Sequence, residues 1–227
     1  MISSDFLVYI VEDDHDVLRS SSNLVTAAGY QVETYTSGCD FLAAVTSAKE
    51  RPACLITDYQ MGGLTGLDVQ KSLNERGINI PIVFVSGHAG VGVAVEAMRQ
   101  GAITLLEKPF SPTDLLKSIE EARSIMEAQQ AEQAEADDAR RLLDSLTDKE
   151  KEVLWMMIEG YANKVVAYRL GISLRTVERR RHEIFAKTNV TTEVQLAELV
   201  NLAGWEKPEQ PPTREQHTHE HAVRLPR

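Results

Sequence analysis

The sequence predicts a doubly wound α/β domain with a five-stranded parallel sheet, followed by a small all-α domain of four helices. The 227 residues are enough for one large domain or two small ones. Over the first 120 residues, strand-length apolar runs alternate with helical patterns, as in the β-α units of a parallel sheet. Over residues 145–204 the apolar spacing is helical throughout. A polar spacer without Gly or Pro separates the two regions.

Five short apolar segments predict the strands of the first domain. The first, third and fourth consist almost entirely of Val, Ile, Leu and Phe, as expected of strands buried on both faces. We expect the sheet order 2-1-3-4-5, in which strands one and three are neighbours. The predicted strands are Phe6–Val11, Gln31–Tyr35, Ala53–Thr57, Ile82–Ser86 and Thr104–Glu107.

Helical patterns connect these strands. The first helix ends at Gly29, and the fifth begins near Pro112, so the α/β domain should occupy residues 1–126. Residues 127–144 should form a solvated helical linker, about 27 Å long if fully helical. A coiled coil is the alternative, but its seam would consist mostly of Ala and Gln.

Capping residues mark the starts of the four helices in the second domain, residues 145–204. Thr147 and Glu150 form a capping box in front of the first helix. Asn163, Ser173 and Thr192 are the predicted N-caps of the next three. Together with their apolar spacing, these caps predict a compact four-helix domain.

Composition excludes several classes of protein. An apolar share of 43% rules out wholesale disorder, and no apolar run approaches the roughly 20 residues of a membrane helix. Cys39 and Cys54 lie in apolar surroundings without metal-ligand spacing, so we predict reduced, buried thiols in a cytoplasmic protein. Residues 205–227 should be a disordered tail, and any metal binding by His217, His219 and His221 in it should be incidental.

Polar side chains follow several strands where each strand ends. Glu12 and Asp13 follow strand one, Asp58 follows strand three, Ser86 ends strand four, and Lys108 follows strand five. Because ligand sites on open parallel sheets form beyond the carboxyl ends of the strands, these groups should meet at one edge. Such clustered carboxylates suit Mg²⁺. The alternative is that they are solvated loop residues and helix caps. It would have to explain why all five polar residues follow strand ends at the same edge of the sheet.

This constellation resembles the receiver domain of two-component response regulators. The resemblance runs from Leu7 to Met126 and rests on IVEDD, TDYQMGGLTGLD, VSGH and LLEKPF. It implies that Asp58 accepts a phosphoryl group from a sensor histidine kinase. It implies a Mg²⁺ site and a set of phosphoryl-binding side chains: Glu12, Asp13, Asp58 and the backbone carbonyl of Gln60 hold the ion, and Ser86 and Lys108 bind phosphoryl oxygens.

The same resemblance implies further roles, and the sequence departs from the family at two positions. Gln60 and His88 should set the lifetime of the phosphorylated state, and Val95 and Arg99 should lie in the interface of a phosphorylation-dependent homodimer. Where the family usually has Pro, this chain has Gly62, so we expect a looser loop. Where the family usually has an aromatic switch residue, it has Leu105, so coupling to output must differ.

One short segment is strongly basic, although the chain as a whole carries a net charge of −10. Residues 164–187 hold seven basic residues and two acidic ones. On the helix after Ser173, one face carries Thr176, Arg179, Arg180, Glu183 and Lys187, and the opposite side carries Val177, Ile184 and Thr188. A solvated charged face is the alternative to a helix that binds DNA.

Residues 145–202 resemble the LuxR-type DNA-binding domain, through LTDKEKEVL, GYANKVVAYRLGIS and RTVERRRHEIFAKT. A receiver joined to this domain is the FixJ/NarL class, whose third helix enters the major groove. We expect Arg179 and Arg180 to reach bases, with Glu178 and His182 as the next candidates. The expected phosphate contacts are Arg175, Thr176 and Lys187, and Lys164 is a further expected DNA contact. Arg181 should form an ion pair with Glu150 or Glu152.

Two rival functions come from other classes. A phosphohydrolase of the haloacid-dehalogenase type needs a second acid where Gln60 stands, so we expect no enzyme beyond self-phosphorylation and self-dephosphorylation. A dinucleotide fold would need a third glycine where Val95 stands. A regulator switched by partner contacts alone is the second rival, and the intact Asp58, Ser86 and Lys108 argue against it. RNA polymerase is an expected further partner of the DNA-bound protein.

Overall fold

The computed structural model describes residues 6–45, 51–87 and 91–207, without the side chains of residues 91 and 93. The chain divides into two compact units, Met1–Glu132 and Gln133–Arg227. The strands are β1 (Leu7–Val11), β2 (Gln31–Tyr35), β3 (Ala53–Asp58), β4 (Ile82–Ser86) and β5 (Thr104–Glu107). The helices of the first unit are α1 (His15–Ala27), α2 (Gly38–Ala44), α3 (Gly66–Glu75), α4 (Val91–Arg99) and the start of α5 (Pro112–Asp144). Those of the second unit are α6 (Asp148–Ile158), α7 (Asn163–Leu170), α8 (Leu174–Thr188) and α9 (Glu193–Leu202).

The first unit is a parallel sheet in the order β2-β1-β3-β4-β5, as predicted. Every residue of β3 and β4 is buried, because helices cover both faces of the sheet. On one face, Val8, Ile10, Val83 and Val85 pack with α1 and α5. On the other, Leu55 and Phe84 pack with α2, α3 and α4 in a second cluster. This arrangement leaves the carboxyl-end edge of the sheet free for polar side chains.

Helix α5 contains both the fifth helix of the α/β domain and the predicted linker. We expected the α/β domain to end at residue 126 and residues 127–144 to form a solvated helical linker, and α5 runs unbroken from Pro112 to Asp144. Residues 127–138 are exposed except for half-buried Ala136, as expected of a solvated stretch. Ala139 and Leu143 lie one turn apart on the same face of α5. Together with Leu146 they are buried in the core of the second unit. The end of the predicted linker is therefore part of the second unit.

After the end of α5, residues 145–207 of the second unit form four helices, with the predicted capping at three of their starts. Thr147 and Glu150 make the capping box of α6, and Ser173 and Thr192 accept backbone N–H bonds at the starts of α8 and α9. The prediction for α7 was wrong: Ala162 is its N-cap residue and Asn163 is already helical, without a side-chain cap bond. Val177, Ile184 and Thr188 are buried, as predicted for the inner side of α8.

Two smaller predictions need correction. Cys39 is exposed, since it lies in the first turn of α2 on the side away from Phe41, whereas Cys54 in β3 is buried as expected. The predicted tail does not begin at residue 205, because the Trp205 ring stacks on Trp155 with ring centroids 6.4 Å apart.

His88 and residues 208–227 with their three histidines lie outside the described residues. Among the described helices, none combines the length and hydropathy needed to cross a bilayer.

Candidate functional site

Three carboxylates converge at the carboxyl edge of the sheet. Glu12 and Asp13 follow β1, and Asp58 ends β3, which pairs directly with β1 at Val11 and Thr57. One oxygen of each carboxylate lies within 4.8 Å of the others. Glu12 is 4% exposed and Asp58 is 8% exposed, whereas Asp13 faces solvent. The strand ends thus bring together the acidic residues that the sequence singled out.

Lys108 joins this carboxylate cluster from the end of β5. Its Nζ lies 2.6 Å from Glu12 Oε2 and 2.6 Å from Asp58 Oδ2. Its backbone N–H donates to the carbonyl of Ser86, at 2.7 Å, which ties the ends of β4 and β5 together. Ser86 is itself buried, at 1% exposure. The predicted ammonium and hydroxyl therefore lie at the same edge as the carboxylates.

Backbone N–H groups of the loop after β3 hold two of the carboxylates in place. The N–H of Gln60 donates to Asp58 Oδ1 at 3.0 Å, and the N–H of Gly62 donates to Asp13 Oδ2 at 2.8 Å. A proline at position 62 has no N–H and could not make the second bond. We expected a looser loop at Gly62, but in this chain the position adds a tie between the loop and Asp13.

Burial and charge shift the protonation of the cluster. Burial raises the pKa of Glu12, and the neighbouring Asp58 carboxylate adds to this rise, against the lowering effect of Lys108. Burial alone would lower the pKa of Lys108, but its hydrogen bonds to Asp58 and Glu12 outweigh this and raise it. The Lys108 ammonium is therefore held charged beside two crowded carboxylates.

The donor set of the cluster fits a small hard cation. One oxygen of each of the three carboxylates lies within 4.8 Å of the others, and one carboxylate is open to solvent. Mg²⁺ prefers such a site, because it binds a few carboxylates and keeps several of its waters. Oxygen donors alone, without His or Cys among the three, disfavour a softer metal. Glu12, Asp13 and Asp58 are the side chains that can hold such an ion.

The structure also places the candidate switch and dimer-interface residues of the first unit. Leu105 on β5 packs against the cluster that contains Phe84, as an apolar side chain with no polar tip to reorient. On α4, Val95 is 51% exposed and Met98 is 48% exposed, with exposed Arg99 beside them. The sequence analysis named Val95 and Arg99 as candidate residues of a dimer interface. It did not name Met98, which lies one turn from Val95 on the same face.

The sequence analysis did not predict a groove that lies beside Lys108. It has a volume of about 590 Å³ and is lined mainly by α1 and by the residues that follow Lys108. Pro109 and Phe110 were visible in the sequence as the apolar pair after the lysine, but only the fold brings them next to α1. Its principal lining residues are Asp16, Val17, Ser20, Leu24, Pro109 and Phe110.

The exposed face of α8 differs by about one residue from the predicted face. Arg175, Glu178, Arg179, His182 and Lys187 are exposed, whereas Thr176, Arg180 and Glu183 are half-buried. The reason is that the buried stripe of Val177, Ile184 and Thr188 is flanked by neighbouring helices on the side of Arg180. Arg179 forms an exposed ion pair with Glu183 at 2.7 Å, which is weak enough to exchange for another partner.

Three basic side chains of α8 have partners inside the second unit. Arg180 Nη1 donates to the carbonyl of Lys149 at 3.4 Å. Arg181 pairs with Glu193 at 2.6 Å, so the predicted pair with Glu150 or Glu152 was wrong. Glu150 instead pairs with Lys187, at 2.7 Å. The sequence placed the cations on the right helix, but it could not show which of them face neighbouring helices.

Comparison with known proteins identifies the two parts of the chain. A family model for the response regulator receiver domain matches residues 8–120, and one for bacterial regulatory proteins of the luxR family matches residues 144–200. The transcriptional regulatory protein FixJ of Rhizobium meliloti is 36% identical over 200 residues, which is 88% of this chain and 96% of that protein. The response regulator protein TodT of Pseudomonas putida is 37% identical over 186 residues, 82% of this chain and 81% of TodT.

Solved structures agree with these matches. The response regulator StyR has a TM-score of 0.76 and 35% identity, over 87% of this chain and 99% of StyR. Full-length FixJ from B. japonicum has a TM-score of 0.53 and 30% identity, over 90% of this chain and all of that one. The resemblance drawn from the sequence motifs is therefore confirmed for both parts.

Proposed function

Because the chain belongs to the response regulators that join a receiver domain to a LuxR-type DNA-binding domain, we propose that phosphorylation of Asp58 switches its binding to promoter DNA. The observation that carries this proposal is the position of Asp58. Its carboxylate is nearly buried, lies within reach of two further carboxylates, and accepts a hydrogen bond from Lys108. A nucleophile for phosphoryl transfer needs this combination of acidic neighbours for a cation and a fixed positive charge.

The proposed donor is a phosphohistidine of a sensor histidine kinase. An Asp58 carboxylate oxygen attacks phosphorus in line, the new P–O bond forms, and the P–N bond to the kinase breaks. Glu12, Asp13 and Asp58, with the backbone carbonyl of Gln60, would hold Mg²⁺, which supplies positive charge to the phosphoryl oxygens when bound. The groove beside Lys108 supports docking of the kinase here, because it opens next to the reacting edge.

Lys108 and Ser86 would report the new charge. The ammonium, now shared by Glu12 and Asp58, would move onto a phosphoryl oxygen, and the Ser86 hydroxyl would bind another. Since the Lys108 N–H is bonded to the Ser86 carbonyl, the ends of β4 and β5 would shift together. The half-buried Leu105 on β5 would pass this shift on by packing, without a swinging ring.

Gln60 and His88 are the proposed determinants of how long the phosphoryl group survives. Gln60 supports this role through its place two residues after Asp58, where its N–H already binds the carboxylate. By family resemblance, a side chain at this position would flank the path of a water that attacks the acyl phosphate. The role of His88 rests on the family resemblance alone.

Phosphorylation would promote a homodimer through α4 and β5, where Val95, Met98 and Arg99 are exposed. Two-fold symmetry would place two recognition helices on paired half-sites about one turn of DNA apart. Arg175 and Arg179 would reach the DNA from the exposed face of α8, and Lys164 from the start of α7. The bound dimer would act on RNA polymerase in the cytoplasm, where bacterial promoters lie.

A binding experiment tests this function. A DNA duplex is selected from a random library with the phosphorylated chain, and affinity is measured with and without a small phosphodonor and Mg²⁺. We expect the donor to tighten binding of the wild-type chain at least about tenfold, through the gain of a second DNA contact. Asp58→Asn should show no response to the donor. Equal affinities with and without the donor would favour a regulator switched by partner contacts, and steady release of phosphate from an ester substrate would favour a phosphohydrolase.

A further inference from the structure

The second unit contains a nearly buried carboxylate whose two oxygens are both bound. Glu150 is 4% exposed. Its Oε2 accepts hydrogen bonds from the backbone N–H of Thr147 at 2.7 Å and from Thr147 Oγ1 at 2.9 Å. Lys187 Nζ lies 2.9 Å from Oε1 and 2.7 Å from Oε2. The ammonium thus bridges a carboxylate that the capping box already holds in one orientation.

This ion pair joins two distant elements. Glu150 lies in the first turn of α6, and Lys187 lies in the last turn of α8, the predicted recognition helix. Arg180 of α8 also reaches the first turn of α6, through the carbonyl of Lys149. Arg181 fixes the middle of α8 to Glu193 at the start of α9. The recognition helix is therefore held by charged contacts on two sides, in addition to its apolar stripe.

The same geometry weighs against a contact between Lys187 and DNA. To reach a phosphate, the ammonium would leave a buried carboxylate without its partner, and an uncompensated buried charge is costly. Burial raises the pKa of Glu150, but the hydrogen bonds from Lys187 and Thr147 outweigh this and lower it, so the carboxylate stays charged at neutral pH. The Lys187 side chain is 36% exposed, and an ion pair open to solvent on one side adds little net stability, so its contribution lies in fixing an orientation.

We propose that Glu150 and Lys187 form a positioning pair that sets the orientation of the recognition helix, and that Lys187 is not a phosphate contact. The inference rests on the proposed DNA-binding function and replaces the role that the sequence suggested for Lys187. Glu150 touches no DNA in this account and acts through α8 on the exposed Arg175 and Arg179. Base contacts tolerate little misplacement, whereas contacts with a uniform phosphate backbone tolerate more.

The test compares four single variants and the Glu150→Gln/Lys187→Ala double variant on two duplexes at several salt concentrations. The probes are a duplex selected from a random library with the wild-type chain and an unselected duplex of the same length. Glu150→Gln keeps an oxygen for the Thr147 N–H but removes the charge, and Lys187→Ala removes the ammonium. Lys187→Arg keeps a cation that can bind the carboxylate. Lys164→Ala is the matched control, because Lys164 is exposed at the start of α7.

The positioning pair predicts a loss of specificity without a loss of phosphate contacts. Lys187→Ala and Glu150→Gln should each weaken binding to the selected duplex about tenfold, comparable to losing one base contact. Binding to the unselected duplex and the salt dependence should stay unchanged, and the double variant should lose no more than either single one. Lys187→Arg should retain wild-type affinity. Lys164→Ala should lower the salt slope by about one on both duplexes.

Other results would overturn the inference. A salt slope lowered by about one in Lys187→Ala, with tighter binding by Glu150→Gln, would show that Lys187 contacts phosphate and that Glu150 merely restrains it. Equal losses on both duplexes, together with reduced helical circular dichroism, would show a role in folding only. If the wild-type chain enriches no sequence and binds neither duplex, the proposed DNA binding itself fails, and the inference fails with it.

Discussion

Lys108 Nζ lies 2.6 Å from Asp58 Oδ2, so the ammonium contacts the carboxylate that we propose as the phosphoryl acceptor. The same nitrogen lies 2.6 Å from Glu12 Oε2. One ammonium thus bridges two of the three carboxylates that would bind Mg²⁺. Its release from these oxygens on phosphorylation is the first movement that the proposed switch requires.

Removing this ammonium should strengthen Mg²⁺ binding. Lys108→Met takes away a positive charge close to the ion site, and such a charge opposes a cation by about 1 kcal/mol or more at these distances. Isothermal titration with MgCl₂ should therefore give an affinity at least about fivefold higher than that of the wild-type chain. Lys117→Met, at an exposed lysine on α5, is the control and should behave as wild type. Unchanged or weaker Mg²⁺ binding by Lys108→Met would contradict this competition.

Gly66 at the start of α3 should tolerate no larger side chain. A Cβ at this position would lie 2.6 Å from the backbone oxygen of Asp58 and 2.7 Å from Phe84 Cε1. Gly66→Ala should therefore lower the free energy of unfolding by about 1–3 kcal/mol and slow phosphorylation, because the end of β3 must shift. Urea unfolding followed by circular dichroism measures the first effect.

The matched control is Gly92→Ala on α4, where an added Cβ meets no atom of the described residues within 4 Å. That variant should be slightly stabilised, by about 0.5–1 kcal/mol, since alanine favours a helix over glycine. Equal unfolding free energies for the two variants would show that the close approach behind Asp58 has no consequence.

Val95→Asp should prevent dimerisation without affecting phosphorylation. Val95 is half-exposed on α4, far from the carboxylate cluster in sequence, and a charge there would be buried in the proposed α4–β5 interface. Sedimentation velocity with a phosphodonor and Mg²⁺ should show a dimer for the wild-type chain and a monomer for this variant. Val165→Asp, at an exposed valine on α7, should still dimerise. A dimer in the Val95→Asp sample would place the interface elsewhere.

Arg179→Ala should lower specific affinity by about 1–3 kcal/mol and change binding to random DNA little, because Arg179 lies on the exposed face of α8. Filter binding or fluorescence anisotropy on both duplexes measures this difference. Arg181→Ala is a useful comparison, since its partner is Glu193 and its loss should lower stability instead. Equal losses on both duplexes for Arg179→Ala would assign base reading to Glu178 or His182.

The sheet and the carboxylate cluster were predictable because they follow from short-range patterns. Continuous apolar runs marked β1, β3 and β4, and the residues directly after them had to lie at one edge of a parallel sheet. Glu12, Asp58 and Lys108 meet there for that reason alone. The contact geometry within the cluster, such as the bond from the Gly62 N–H to Asp13, needed the structure.

Partners of long side chains on α8 were not predictable in the same way. Arg181 and Lys187 can each reach several neighbours, and the choice depends on how α6 and α9 pack against α8. Helical spacing gave the buried stripe correctly, and Arg175 and Arg179 are exposed as predicted, but Arg180 is half-buried. The sequence predicted a helical linker, but it did not show that Ala139 lies in the core of the second unit, because alanine carries little hydropathy signal.

Intact-protein mass spectrometry with peptide mapping tests the central proposal most directly. After incubation with a small phosphodonor and Mg²⁺, the wild-type chain should gain one phosphoryl group per molecule, mapped to Asp58. Asp58→Asn should gain none, and Asp14→Asn, which alters only the exposed cap of α1, should gain one as in the wild type. A phosphoryl group on the Asp58→Asn protein, or an unmodified wild-type chain under conditions that phosphorylate another receiver domain, would contradict the account.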